Sequence, residues 1–366
     1  MNPASELYIG IMSGTSLDGV DAALVRLSQS ETVLVSSYYQ PYPQQIIDEL
    51  LALHVPSHDE IHRSQLIANQ LAREYAQATH ALLDKAVVDA GQVQAIGCHG
   101  QTVRHRPEHG YSVQLNNAAL LAELTGIHVV SDFRSRDIAA GGQGAPLVPA
   151  FHDFVLRHPT AHRVILNIGG IANLTNLKPG LETSGFDCGP GNLLMDAWIS
   201  KHQGKSYDEN GEWAEAGNPI PELLHKLLAN PFFSATPPKS TGRDLFHLAW
   251  LEKQLNGSEH PADVQATLLA LSADSIALAI QHFCSGAEEL YLCGGGANNG
   301  ALVSRLKRAL PKCLIRNTEA LGIPADWMEA IAFAWLAQQS FQLRPANLPL
   351  VTGARHPCVL GAIYPA

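Results

Sequence analysis

The chain has 366 residues, room for about two domains, and its 46% hydrophobic and 16% charged residues support large buried cores and exclude a disordered chain. A formal net charge of -10 excludes nucleic acid or an anionic membrane as a partner held by bulk electrostatics, so any phosphate must be bound locally. The N-terminus shows no basic segment leading into an apolar run, and the six cysteines show neither a CxxC pair nor metal-ligand spacing; a cytoplasmic, non-membrane protein with free thiols is expected.

Leu7 to Ile11 reads as a buried strand and Val20 to Leu27 as a second, joined by the small, hydroxylated segment Ser13 to Gly19. This is a hairpin with an anion-sized tip. Gly14 and Gly19 allow a tight turn and close approach to a ligand, Ser13, Thr15 and Ser16 offer donors to phosphate oxygens, and Leu17 and Val20 complete the tip. Asp18 and Asp21 would repel phosphate unless a cation intervened, so Mg²⁺ is expected, held largely through water with Asp18 as its protein partner. The plainer reading of the same residues is a tight turn with solvated Asp side chains.

A third strand, Thr32 to Tyr39, precedes helices at Ile46 to Leu53 and Ile61 to Ala90, the latter stopped by Gly91. His54, His58 and His62 are four apart, but Pro56 and Ser57 break the helix that would align them, so no metal is expected there. A fourth strand runs from Val93 into a loop, Gly97 to Thr102, that presents His99 and Gln101 at a strand end, where α/β sheets bind ligands. After strand Tyr111 to Leu115, helix Ala118 to Thr125 and strand Ile127 to Ser131, Asp132, Arg134, Arg136 and Asp137 crowd beside Gly141 to Gly144. These charges form either a site or a structural salt-bridge cluster. The segment Arg157 to His162 marks the expected boundary between domains 1–158 and 159–366.

The pattern then restarts: RVILNIGGIANLTNL is again strand, glycine turn and strand, followed by a strand from Glu182 to Asp187. Two related tips suggest two lobes gripping one polyphosphate, with Asn167, Gly169, Gly170 and Asn173 as the second contact. Helices are expected at Leu193 to His202, Glu222 to Leu228, Asp244 to Leu255 and Ala262 to Phe283, around a polar stretch from Gln203 to Gly217. Strand Leu290 to Cys293 ends in Gly294, Gly295 and Gly296, with Asn298 just beyond, a turn on which a nucleotide base or ribose can lie flat. It lacks the spacing of a dinucleotide fingerprint or a P-loop. The last helix, Trp327 to Phe341, carries Glu329 near its start.

GTSLDG, NIGGIAN and CGGGANN resemble the two phosphate motifs and the adenosine motif of the sugar kinase, heat-shock ATPase and actin superfamily. Within it, GIMSGTSLDGVDAALV, GCHGQTVRH, SDFRSRDIAAGGQGAPLVP, FDCGPGN and EAIAFAWLA resemble the anhydro-N-acetylmuramic acid kinases from end to end. The resemblance implies an α/β protein of two ribonuclease-H-like (actin-like ATPase) domains flanking a nucleotide and substrate cleft, usually a homodimer. It implies an ATP- and Mg²⁺-dependent enzyme of cell-wall recycling that opens 1,6-anhydro-N-acetylmuramic acid with water and phosphorylates the freed 6-oxygen. Asp187 in FDCGPGN is then the candidate base, ionised at neutral pH if unperturbed, with a helix N-cap as its plainer role. Glu329 is a candidate for orienting the water, or simply a carboxylate at a helix start. His99, Gln101, Asp132 and Arg134 are candidates for the sugar, Arg134 for its lactyl carboxylate. A kinase for another sugar and a non-catalytic ATP-switched assembly protein are the alternatives.

Overall fold

The computed structural model describes residues 5–14, 17–28, 31–242 and 245–366, so Thr15 and Ser16 of the first tip and Asp244 of an expected helix start lie outside the described residues. The chain divides into two compact units, one comprising Met1–Val155 and Trp327–Ala366, the other Leu156–Asp326.

In the first unit β1 (Glu6–Met12), β2 (Gly19–Leu27) and β3 (Thr32–Pro41) form an antiparallel meander. Strand β4 (Val93–Cys98) adds parallel to β1, and the hairpin β5 (Gln101–Arg106) and β6 (Tyr111–Leu115) stands apart as its own sheet. Strand β7 (Val129–Ser131) adds parallel to β4, and the terminal strand Ala362–Tyr364 closes that edge. The expected loop at Gly97 to Thr102 is thus only a turn at His99 and Gly100, because Gly100 takes φ +73° and returns the chain at once into β5. Alternate residues Ile9, Ile11, Val20, Ala22 and Leu24 enter one core with helices Gln44–Leu53, Glu60–Ala86 and Ala118–Thr125. The second of these helices ends before the expected Ala90, since Val87 turns left-handed at φ 54° and its N–H bonds back to Leu83 and Asp84.

The other face of this sheet is covered by the helix Met328–Phe341, in which every residue from Ala330 to Ser340 is buried. Gly10 and Gly97 lie opposite each other in the β1–β4 register, and a Cβ on either would strike the helix backbone, at Ala330 O and Phe333 O respectively. Glycine at both positions lets the helix backbone rest directly on the sheet. The sequence boundary placed this helix in the second domain; the structure assigns it to the first unit. A helix apolar all round carries no sequence record of which sheet it faces.

The second unit repeats the plan. Strands β8 (Arg163–Ile168), β9 (Ile171–Leu177) and β10 (Ser184–Pro190) form a meander, β11 (Glu289–Cys293) lies parallel to β8, and β12 (Leu314–Asn317) parallel to β11. The order β10-β9-β8-β11-β12 matches β3-β2-β1-β4-β7, so both units are ribonuclease-H-like. Val164, Leu166, Leu174, Phe186, Leu290 and Leu292 pack in one core with the helix Pro261–Phe283. That helix is long and apolar enough to cross a membrane, yet 83% of its most apolar window is buried inside the protein. Strand β12 left no sequence signal because only Ile315 of its four residues is buried. The expected helix reaching Leu255 is a single turn, Leu248–Glu252, started by the His247 side chain accepting from Trp250 N.

Candidate functional site

The polar residues of the second unit meet at one end of its sheet. Register pairs Asp187 with Asn173, Asn173 with Asn167 and Asn167 with Cys293, a single row across β10, β9, β8 and β11. Residues directly paired across strands share a face, so Asp187, Asn173 and Asn167 stand side by side, all half-buried. The neighbouring row, Phe186, Leu174, Leu166 and Leu292, points into the core.

A register shift between Asp187 and Gly189 marks a bulge in β10 just beyond the acid. Asp187 Oδ2 accepts a 2.8 Å hydrogen bond from Thr241 N, 54 residues away, while Asp187 N donates to Lys239 O at 3.1 Å. Burial pushes the carboxyl up to about 7, against the Thr241 amide and the Lys239 charge, which both favour its ionised form. The expectation of an ordinary, fully ionised Asp at neutral pH is therefore corrected: this group exchanges its proton near neutrality, where a general base works well. Its partner is a loop amide and not the amide of a following helix, so it is not an N-cap.

Lys239 and Thr241 were not anticipated from the sequence. They sit in the loop from Ser234 to Gly242, whose only local signal is one lysine in a Pro-, Ser- and Gly-rich stretch. Lys239 Nζ donates to Phe232 O and Phe233 O at 3.1 and 3.2 Å and lies 4.7 Å from the Phe232 ring centroid.

The two glycine turns of this unit have different causes. Gly169 and Gly170 form the β8–β9 tip, and their carbonyls accept from Asn192, Gly191 and Leu193 N–H at the start of helix Leu193–Gln203. Neither has a close neighbour for a Cβ, whereas a Cβ on Gly191 would strike Gly169 O. In the turn after β11, Gly294 has φ +75° and no room beside Asn167, and Gly296 none beside Ile168; Gly295 is exposed with open space over it. Gly295 alone of the three is open to a ligand. Exposed Asn298 donates to Asp326 Oδ1 at 3.3 Å.

In the first unit the β1–β2 tip is braced from beneath. Ser13 Oγ is 2.7 Å from the Tyr42 hydroxyl and donates to Gln101 Oε1, Gln101 Nε2 donates to Gly14 O at 3.1 Å, and Tyr42 OH donates to Tyr75 OH at 3.3 Å. Ser13 and Gln101, expected at the nucleotide and the sugar, are buried and hydrogen-bonded to each other, so their side chains support the loop. Leu17 is buried at φ 63°, Gly19 and Val20 are buried at the start of β2, and Gly19 leaves no room for a Cβ beside Gln40 O. Asp18 is exposed, Asp21 is half-buried, and the charges of both act on the Tyr39 hydroxyl, raising its pKa after the larger effect of burial. Both carboxylates therefore lie near one edge of the tip, although among the described residues no group of three or more Asp, Glu, His or Cys side chains is placed to hold a metal ion.

His99, Arg134 and Glu329 also fall in this unit. His99 is buried; its Nδ1 lies 2.6 Å from Gly100 O, and its Nε2 lies 2.7 Å from both Arg134 Nη2 and Gln114 Nε2. Both Nε2 neighbours are donors, so Nδ1 carries the proton and Nε2 accepts. Burial, then the Arg134 charge, holds the imidazole down to about 3, a permanently neutral ring. Arg134 Nη1 donates to Gly144 O at 2.7 Å, while Nε is buried without a hydrogen-bond partner among the described residues. Burial lowers the guanidinium to about 10, opposed by the charges of Glu329 and Asp137. Glu329 is half-buried at the second position of the terminal helix.

Asp137 accepts from Gly144 N, Asn347 Nδ2 and Thr352 Oγ1 at 2.8, 2.6 and 2.7 Å, so among the described residues its hydrogen bonds come from a backbone amide and neutral side chains. Asp132 stands exposed at φ 58°, accepting from Ser135 Oγ at 2.6 Å, and lines a cavity of about 280 Å³ with Gln114, Asn116, Ser131, Ser135 and Tyr364. Gln114 joins that cavity to His99.

A sequence profile described as anhydro-N-acetylmuramic acid kinase matches residues 6–366. The anhydro-N-acetylmuramic acid kinase of Nitrosospira multiformis is 57% identical over 361 residues, covering 98% of this chain and 99% of that protein. The enzyme of the same name from Nitrosomonas europaea is 56% identical over the same length and shares of each chain, and that from Thiobacillus denitrificans 54% identical over 366 residues, covering 99% of this chain and 98% of that one.

Proposed function

The chain belongs to the anhydro-N-acetylmuramic acid kinase family, and from that premise we propose that Asp187 is the general base of its reaction. The activity is ATP-dependent phosphorylation of anhydro-N-acetylmuramic acid in cell-wall recycling. The acceptor oxygen of the anhydro bridge carries no proton, so the base acts on water. Asp187 takes a proton from a water attacking the anomeric carbon, the bond from that carbon to the 6-oxygen breaks, and the 6-oxygen receives the γ-phosphoryl as ADP departs. Inversion at the acetal carbon by a carboxylate and water follows the logic of inverting glycosidases, with phosphorus in place of the proton on the leaving oxygen. The observation that carries this reading is Asp187 in the polar row with Asn173 and Asn167, its carboxyl raised by burial to about 7.

Asn167, Asn173, Gly169 and Gly170 are assigned to phosphate, as are the β1–β2 tip residues, and the open face of Gly295 to the nucleoside. Mg²⁺ supplies charge neutralisation on the phosphates when bound, and Asp18 would hold it through water. Arg134 is assigned to the lactyl carboxylate: its Nε has no hydrogen-bond partner among the described residues, so an anion there completes the guanidinium. Asp132 and the cavity it lines are assigned to the sugar, and Glu329 to orienting the water. Assembly as a homodimer and work in the cytoplasm follow from the resemblance; sedimentation equilibrium tests the former.

The decisive experiment is mass spectrometry of products formed in ¹⁸O-water. The label is expected on the anomeric hydroxyl and absent from phosphate; label in phosphate, or turnover of ordinary hexoses without the anhydro sugar, overturns the reading.

A further inference from the structure

We infer that Lys239 is a positioning residue for Asp187: its ammonium ties the loop to the Phe232 and Phe233 carbonyls, which delivers the Thr241 amide to Oδ2, and stands a positive charge over the ring of Phe186, the residue before Asp187 in β10. This rests on Asp187 being the base.

Lys239 is half-buried over an aromatic floor, 4.7, 5.6 and 5.8 Å from the ring centroids of Phe232, Phe283 and Phe186. Its hydrogen bonds go to two carbonyls and not to a carboxylate. A methionine would fill such a floor without the desolvation that lowers the lysine pKa, so packing alone does not account for a cation. What the charge faces does. Lys239 acts on Asp187 and Cys188, the adjacent residues of β10, and Cys284 at the end of helix Pro261–Phe283 faces Cys188 in turn. Both thiols are pushed up by burial, Cys284 to about 12, so they stay neutral and Asp187 is the anion that the ammonium stabilises. The backbone bond from Asp187 N to Lys239 O and the bond from Thr241 N to Oδ2 then fix the loop at the lysine and two residues beyond it. Among the described residues Thr241 N is the one hydrogen-bond donor to this carboxylate, which leaves Oδ1 to take the proton of water.

The test is the pH dependence of kcat and KM for Lys239→Met and Lys239→Arg, with nucleotide affinity measured on the same preparations. Lys239→Met is expected to move the acidic limb up by about half to one pH unit. Its kcat then falls about 2- to 6-fold more at pH 6.5 than at pH 8.5, with KM for ATP within about twofold. Lys239→Arg is expected to restore the limb. Should Lys239→Met fail to fold, Lys239→Gln, which keeps a donor for the carbonyls but not the charge, reads the same limb. A uniform loss of kcat at every pH with the limb unmoved overturns the inference, because the lysine then only packs. Asp187→Asn separates this from the parent reading: sugar-dependent ADP release surviving in that variant removes the base itself, whatever Lys239 does.

Discussion

The β1–β2 tip of the first unit rests on side chains, with Ser13 and Gln101 buried beneath it and joined to Tyr42 and Tyr75. The β8–β9 tip of the second unit, at the same place in the same strand order, rests on backbone, its Gly169 and Gly170 carbonyls bonded to the start of a helix. A side-chain brace tolerates substitution one group at a time, whereas a backbone brace leaves no slack and demands glycine where chains cross. The backbone-braced tip joins the two strands whose Asn167 and Asn173 share a row with Asp187, the proposed base.

The largest break in this comparison is expected from Asp187→Asn, which should lower kcat by about 10²- to 10⁴-fold in steady-state assays while nucleotide binding persists. The same variant tests the carboxyl environment by calorimetry. A folded-state pKa raised from 3.8 to about 7 contributes stability that is fully present below the unfolded value and lost as pH rises through about 7. Asp187→Asn should therefore gain stability over the parent at pH 8.5, by a few kcal/mol at most, and gain little at pH 4.

Arg134→Ala comes next. Loss of a charge-assisted contact should raise KM for the anhydro sugar roughly 10- to 100-fold with KM for ATP unchanged, and an unaltered sugar KM would remove Arg134 from the carboxylate. The braces themselves are compared by denaturant unfolding. Gly191→Ala, whose methyl would meet Gly169 O, should cost about 1–3 kcal/mol, and Gly169→Ala, whose methyl has Ile171 O at an ordinary 3.7 Å, far less. Equal losses would mean the tip is not held by that close approach. Tyr42→Phe in the side-chain brace is expected to cost no more than Gly191→Ala, about 1–2 kcal/mol, with Ser13 still bonded to Gln101.

What the sequence determined by itself is local or repeated. Helix Ala118–Thr125 was legible to the residue, with Asn117 capping its start and Gly126 left-handed at its end, and the two glycine-tipped meanders announced the duplication. The motifs sufficed for the family, because each is a contiguous string. Tertiary structure alone decided that the terminal helix lies on the first sheet through Gly10 and Gly97, that the His99 ring is neutral and accepts from Arg134, and that Lys239 and Thr241 reach Asp187. Turn and helix preferences are set by neighbours in the chain; desolvation and close approach are set by residues brought from far away, and those move a carboxyl from 3.8 to about 7.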